Sequence, residues 1–108
     1  MSNAIPAKAR NVVRERDLSH CLRCGAAGAR DLHHRRRRGI GVDPHLVCNL
    51  ITLCGPGGCH DWVHAHPEEA RRLGFIITSY DDVDPFRVVL HSFMGKIVLS
   101  CDGGLDWV

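Results

Sequence analysis

Residues 21–64 read CLRCGAAGARDLHHRRRRGIGVDPHLVCNLITLCGPGGCHDWVH, and this stretch holds the side chains on which the fold depends. Two cysteine pairs bracket a double histidine, His33-His34, and two more histidines follow the second pair. Cysteine thiolate and histidine imidazole are the usual protein ligands of zinc and similar ions. The stretch therefore predicts two separate metal sites, one built from cysteines and one from histidines.

The cysteine pairs predict a structural zinc site. Cys21 and Cys24 form a CxxC knuckle followed by glycine, and Cys54 and Cys59 form a wider pair around a Gly/Pro loop. Four thiolates complete a tetrahedral Zn²⁺ site, and two short-spaced pairs are its usual sequence form. The alternatives are a disulfide framework or free buried thiols. No secretory signal is visible, which favours an intracellular, reducing compartment and therefore metal over disulfide.

The histidines predict a second metal site, because four cysteines already fill the first. His60 and His64 are four residues apart, so on a helix they share one face and can bind one ion. The segment 32–34 is the nearest source of a third ligand. Neighbouring side chains of a strand point in opposite directions, so one of His33 and His34 can bind the metal while the other faces a substrate. Three protein ligands leave coordination positions open, as in catalytic sites.

This order of residues resembles the HNH endonuclease family, whose ββα-metal motif has a His-His strand, a central asparagine and a helix with the last histidine. The matching residues here are His33, His34, Asn49, His60 and His64. The chain also resembles the zinc-bearing subgroup common in bacteriophage genomes, where CxxCG precedes the double histidine. The resemblance covers about residues 5 to 75. The long second cysteine loop and a run of four arginines after His34 depart from the pattern.

The resemblance implies a DNA endonuclease with an α+β fold, in which zinc stabilises a small ββα-metal core. We predict that His33, His60 and His64 hold one divalent ion, which provides Lewis-acid chemistry at the phosphate. His34 is the predicted general base that takes a proton from water, and the amide of Asn49 fixes the backbone near it. The ion is Mg²⁺, Mn²⁺, Ni²⁺, Co²⁺ or Zn²⁺. The subgroup also implies phage packaging proteins as partners and a host or bacterial cytoplasm as location.

Charge agrees with a nucleic-acid partner. The chain has 108 residues and a net charge of +2, but residues 1–40 carry ten Lys/Arg against three Asp/Glu, and the remainder is acidic. A basic half favours a polyanion such as DNA. No run of 18 or more apolar residues is present, so no membrane partner is expected. Phosphate contact is predicted for the arginine run, whose guanidinium groups match phosphate oxygens: Arg35, Arg36, Arg37 and Arg38.

One HNH nuclease domain is expected over residues 1–108. It comprises a loose N-terminus at 1–5, the zinc-stabilised core at 6–74 and a β-rich extension at 75–108. Three helices are predicted: one over 7–16 behind Pro6, one that starts at the second knuckle, and one over 67–74. Residues 46–53 are either a helical turn or a buried connector.

The extension contains three strand-like segments, 75–78, 87–91 and 96–100, with a turn at Met94-Gly95. It forms either a small sheet packed on the core or a contact for a partner. Cys48 and Cys101 lie outside the zinc set, and we interpret both as small buried apolar residues. Asp31 could orient a metal ligand, but we interpret it as a turn residue, and His45 receives no role.

A non-catalytic module is the alternative function. A zinc-stabilised domain for DNA binding or protein docking explains the cysteines and arginines equally well. It does not explain why two histidine pairs occur at ligand spacing outside the zinc set.

Overall fold

The computed structural model describes residues 4–36, 43–78 and 84–108. Its elements in chain order are α1 (Ala7–Asp17), β1 (Asp31–His34), a 3₁₀ turn (Val47–Asn49), β2 (Leu50–Leu53), α2 (Cys59–Ala65), α3 (Pro67–Arg72), a second 3₁₀ turn (Pro85–Arg87), β3 (Leu90–Ser92), β4 (Gly95–Leu99) and β5 (Leu105–Trp107). Over the described ranges the fold is α+β, with three helices and two small sheets, as predicted. None of these helices combines the length and apolar character needed to cross a membrane.

The centre of the fold is the unit β1–β2–α2. Strands β1 and β2 pair antiparallel, with His33 opposite Ile51 and His34 opposite Leu50. All four residues of β2 are buried, and the 3₁₀ turn leads directly into it. The segment 46–53 therefore combines a helical turn, one of the two forms expected for it, with a buried strand that was not expected. A fully buried strand lacks the polar/apolar alternation by which strands are usually identified, which explains the difference.

A buried ion pair fastens α1 to this unit. The side chains of Arg16 and Asp17 are 2% and 0% exposed, and Arg16 Nε donates to Asp17 Oδ1 at 2.7 Å. The guanidinium also donates to the carbonyl oxygens of Val47 and Leu50, while Asp17 Oδ2 accepts the backbone N–H of Thr52 at 3.0 Å. A buried pair stabilises a fold only when such additional hydrogen bonds satisfy its remaining groups. The last turn of α1 is thus held against β2.

The C-terminal extension is a three-stranded antiparallel sheet in the order β3-β4-β5. The predicted strand at 96–100 is present as β4 and that at 87–91 is displaced to β3, with the turn at Phe93-Met94. The predicted strand at 75–78 is wrong, because Ile77 makes only an isolated bridge with Arg36. Strand β5 was not expected.

The extension and the preceding part of the chain share one hydrophobic core. Backbone hydrogen bonds join them: Phe93 N–H donates to Leu22 O at 2.8 Å and His91 N–H to Leu73 O at 2.9 Å. The buried side chains of the cluster come from both parts: Leu22, Ile51, Leu53, Val63, Phe75, Leu90, Ile97 and Leu99. Of the two possibilities for residues 75–108, packing on the core is therefore the one found.

A disulfide adds a covalent link between the two parts. Cys48, in the first 3₁₀ turn, is bonded to Cys101, which lies 53 residues later and follows β4. The interpretation of both cysteines as small buried apolar residues did not foresee this bond and holds only for the burial of Cys48. Cys48 is buried, but Cys101 is exposed.

Candidate metal centres

The four cysteines of the two knuckles converge on one point. Cys21 and Cys24 lie between α1 and β1, Cys54 follows β2, and Cys59 begins α2. Their sulfur atoms all lie within 4.8 Å of one another, and all four are free cysteines. Four sulfurs are the typical ligand set of a closed structural zinc site. This group could hold one zinc ion, in agreement with the sequence prediction.

Hydrogen bonds already support charge on these sulfurs. Backbone N–H groups donate within each pair, from Cys24 to Cys21 Sγ at 3.5 Å and from Cys59 to Cys54 Sγ at 3.2 Å. Arg23 Nη1 donates to Cys59 Sγ at 3.3 Å. Such donors around a metal site orient the ligands and stabilise the thiolate form that binds metal.

The thiols differ in how readily they ionise. Burial raises the pKa of Cys59 to about 12. Burial alone would also raise the pKa of Cys21. Backbone hydrogen bonds from Cys24, Cys54 and Arg23 outweigh this effect and lower that pKa to about 7. Metal binding needs the thiolate, so it must displace the proton of Cys59 at neutral pH. Zinc uptake therefore weakens as the pH falls.

The three predicted histidine ligands form the second cluster. β1 supplies His33, and α2 supplies His60 and His64. One ring nitrogen from each lies within 4.8 Å of the others, and the ring centroids are 5.1–5.4 Å apart. His33 is 3% exposed, whereas His64 is exposed. The cluster is closed on the side of the strand and open on the side of the helix, so it could hold an ion with positions left for other ligands.

Two of these histidine rings also make a hydrogen bond through one of their ring nitrogens, and this bond sets their orientation. His33 Nε2 lies 2.7 Å from the carbonyl oxygen of Phe75, which can only accept, so Nε2 carries the proton and Nδ1 remains for a metal. His60 Nδ1 lies 3.1 Å from Asp31 Oδ2, which leaves Nε2. Carboxylates and carbonyls commonly orient metal-ligating histidines in this way. Asp31 is thus the first residue of β1 and a partner of His60, not the turn residue we expected.

The buried ligand is neutral at physiological pH. Burial, together with the charged forms of nearby His60, His64 and His34, lowers the pKa of His33 to about 4 against the opposing effect of the Phe75 carbonyl. A neutral imidazole is the form that binds metal.

His34 lies on the other side of β1 and meets a residue that the sequence analysis left without a role. Its Nε2 is 3.2 Å from Nδ1 of His45, and the two ring centroids are 5.3 Å apart. The backbone N–H of His45 donates to Asp43 Oδ1 at 2.9 Å. Sequence spacing gives no signal for this contact, because the two histidines meet only through the course of the loop.

Asn49 holds the backbone on both sides of that histidine pair. Its side chain is fully buried; Oδ1 accepts the N–H of Arg36 at 2.8 Å, and Nδ2 donates to the carbonyl oxygens of Arg36 and Pro44 at 3.0 Å each. The contact predicted for this amide, with the backbone near His34, is present. It also fixes the residue before His45.

Arg35, the first residue of the arginine run, points into the fold instead of contributing to the expected phosphate-binding surface. Arg35 is 0% exposed, and its side chain donates at 2.8–3.2 Å to four carbonyl oxygens, those of Gly74, Cys48, Pro85 and Val88. Burial, and then the charge of Arg16, lower the pKa of Arg35 to about 9, so it is still a cation at neutral pH. Arg36 is 8% exposed. The DNA-contact prediction is wrong for Arg35 because its donors are used inside the fold; Arg37 and Arg38 lie outside the described residues.

The chain has no recognisable relative among the known proteins with which it was compared. No family model, curated protein or solved structure matches the chain. The HNH resemblance, with the phage origin and packaging partners that it implies, stays a prediction. Any function must therefore be inferred from the two clusters and their surroundings.

Proposed function

We propose that this protein is a metal-dependent DNA endonuclease of the HNH type. The observation that carries the proposal is the second cluster: His33, His60 and His64 converge apart from the four cysteines, and the strand that supplies His33 continues with His34. A module that needs only a structural ion is complete with the cysteines. Three convergent imidazoles that leave coordination positions open form the kind of site that supports metal-assisted hydrolysis.

The cluster suits a divalent ion on the chemistry of its donors. The hydrogen bonds of His33 and His60 each leave one ring nitrogen for a metal, and His33 is neutral without loss of a proton. Three imidazoles accept Mn²⁺, Co²⁺, Ni²⁺ or Zn²⁺, and Mg²⁺ less readily. When bound, such an ion would provide Lewis-acid stabilisation of the phosphate and of the departing 3′ oxygen.

The residues of the chain provide the rest of the reaction. His34 takes a proton from the water that attacks the phosphorus, which suits a neutral imidazole near pH 7. Its Nε2 lies 3.2 Å from His45 Nδ1, so the second ring can share the positive charge that develops. Asn49 keeps both backbone segments in place through its three side-chain hydrogen bonds.

Plasmid cleavage tests the proposal. Zinc-loaded protein is incubated with supercoiled plasmid and Mg²⁺ or Mn²⁺, with a chelator control in which the zinc content is also measured. We expect nicked or linear product that depends on the added ion and is lost in His64→Ala. His66→Ala is the matched control, since His66 is exposed just after α2 and outside the cluster. Absence of cleavage with every ion would favour the non-catalytic zinc-stabilised module.

A further inference from the structure

An open cleft lies against the histidine cluster. It has a volume of about 440 Å³, and one metal-ligand candidate, His60, forms part of its wall together with Asp31. Three arginines line it: Arg10 and Arg14 from α1, and Arg30 from the segment before β1. The cleft thus joins a cationic surface directly to the site at which cleavage is proposed.

A second hollow continues the same surface. It has a volume of about 340 Å³ and is lined by Arg14, Ser19, Gly28, Ala29 and Arg30. Arg14 and Arg30 belong to both walls, so the two hollows adjoin at these side chains, and we call the two together the track. The track leads from the histidine cluster past the end of α1.

The three arginines serve no evident purpose within the fold. All are exposed, and over the described residues none of their guanidinium groups has an ion-pair or hydrogen-bond partner. Arg10 and Arg14 are four residues apart on one face of α1, where like charges repel and destabilise a helix. Asp31, the one acid among the described residues of the wall, is engaged by His60. An anionic ligand would relieve this concentration of charge.

We propose that this track binds the sugar-phosphate backbone of the DNA, with Arg10, Arg14 and Arg30 on phosphates next to the one that is cleaved. The inference rests on the proposed function, which supplies the DNA as substrate. Arginine forks match phosphate oxygens. Phosphate contacts carry no base identity, so we expect the contact to be independent of sequence.

Salt-dependent DNA binding tests the track. Affinity for a labelled duplex is measured by fluorescence anisotropy over a series of salt concentrations for Arg10→Ala/Arg14→Ala and for Arg30→Ala. Lys8→Ala/Arg87→Ala is the matched control for the double variant, because it removes the same charge from exposed positions outside both walls. We expect the salt slope to fall by about one unit per lost phosphate contact, equally for two unrelated duplexes. A slope and affinity equal to the control's would overturn the track.

Cleavage measured on the same proteins separates this inference from the proposed function. If the wild-type protein cuts DNA and the arginine variants keep its salt slope, the proposed phosphate contacts are wrong and the proposed endonuclease function is supported. Wild-type protein that binds without cutting, with arginine variants that bind weakly, would support the track and remove the endonuclease. Absence of both binding and cleavage would remove both. Alanine is the best helix former, so α1 should persist, and unchanged thermal melting verifies this.

Discussion

His33 and His34 are neighbours in the sequence, yet they have different surroundings. His33 is buried against the Phe75 carbonyl and faces α2, whereas His34 is half-buried against His45. Alternation along β1 produces this separation, since successive side chains of a strand point to opposite sides. Sequence reasoning could predict the division between a ligand and a base for this reason. It could not predict His45, whose position depends on a loop.

The division of roles between the two histidines can be measured as a difference in metal rescue. His34→Ala removes the proposed base and should lower cleavage by roughly 10²–10⁴ at any concentration of added ion. His33→Ala and His64→Ala remove ligands, so added ion should restore part of their activity. The measurement is cleavage rate against ion concentration, with His66→Ala as control. Rescue of His34→Ala but not of His33→Ala would reverse the two assignments.

Arg35 shows how the same alternation extends past the end of β1. His33 and Arg35 are both buried, while His34 between them is partly exposed. A cation in a buried position is rare unless its donors are satisfied, and four carbonyl oxygens do this here. Composition alone predicted that the run of four arginines is solvated and binds phosphate. Composition does not show which arginine of the run points into the interior.

Arg35 should therefore matter for stability and not for DNA affinity. Arg35→Met leaves several buried carbonyl oxygens without a donor, which we expect to lower the free energy of unfolding by about 3 kcal/mol or more. Arg30→Met makes the same chemical change at an exposed position and should stay within about 0.5 kcal/mol. Urea denaturation followed by circular dichroism compares the two. Equal stability of both variants would contradict the structural role of Arg35.

Among the elements, those with a strong local signal were predicted best. α2 has its histidines four residues apart behind the second knuckle, and α3 has proline at its first position. β2 and β5 were missed, because one is a short buried run and the other has three residues. Segment 75–78 has strand composition, but its surroundings give it only one bridge. Tertiary contacts decide whether such short segments form strands, and local composition carries no information about those contacts.

The knuckle formed by Cys21 and Cys24 tests the zinc site at the level of an element. Cys24→Ser should reduce bound zinc below one ion per chain and lower the melting temperature by on the order of 10 °C or more, because structural zinc supplies folding free energy. Cys24 is exposed, so the change itself leaves the core intact. Ala26→Ser, an exposed change beside the knuckle, is the control. Full zinc content with unchanged melting would rule out Cys24 as a ligand.

At the scale of the whole molecule, the extension is joined to the part that holds the two candidate metal clusters by a common core, by Arg35 and by the disulfide. Sequence analysis predicted its β character but not this covalent link. Cysteine pairing over 53 residues has no local signature. The expectation of a reducing compartment also directed attention to metal ligands. The pairing of Cys48 with Cys101 was consequently not predicted.

The disulfide should stabilise the chain mainly through its unfolded state. Closing a loop of 53 residues corresponds to about 4 kcal/mol on the chain-entropy model. Cys101→Ser, at an exposed position, should lose an amount of this order in urea denaturation with zinc kept saturating. A mild reductant should destabilise the wild type by a similar amount and leave the variant unchanged. A variant as stable as the oxidised wild type would show that the link contributes nothing.

Cys59 and His60 are consecutive residues at the start of α2, so one peptide bond joins a ligand of the first cluster to a ligand of the second. An ion that orders one side of this bond reduces the entropy cost of ordering the other. The affinities of the two ions are then linked, and by reciprocity each ion strengthens the binding of the other by the same factor. The Cys24→Ser protein should consequently require more divalent ion for half-maximal cleavage. If the proposed nuclease function holds, zinc would then act as an effector of cleavage as well as a support for the fold.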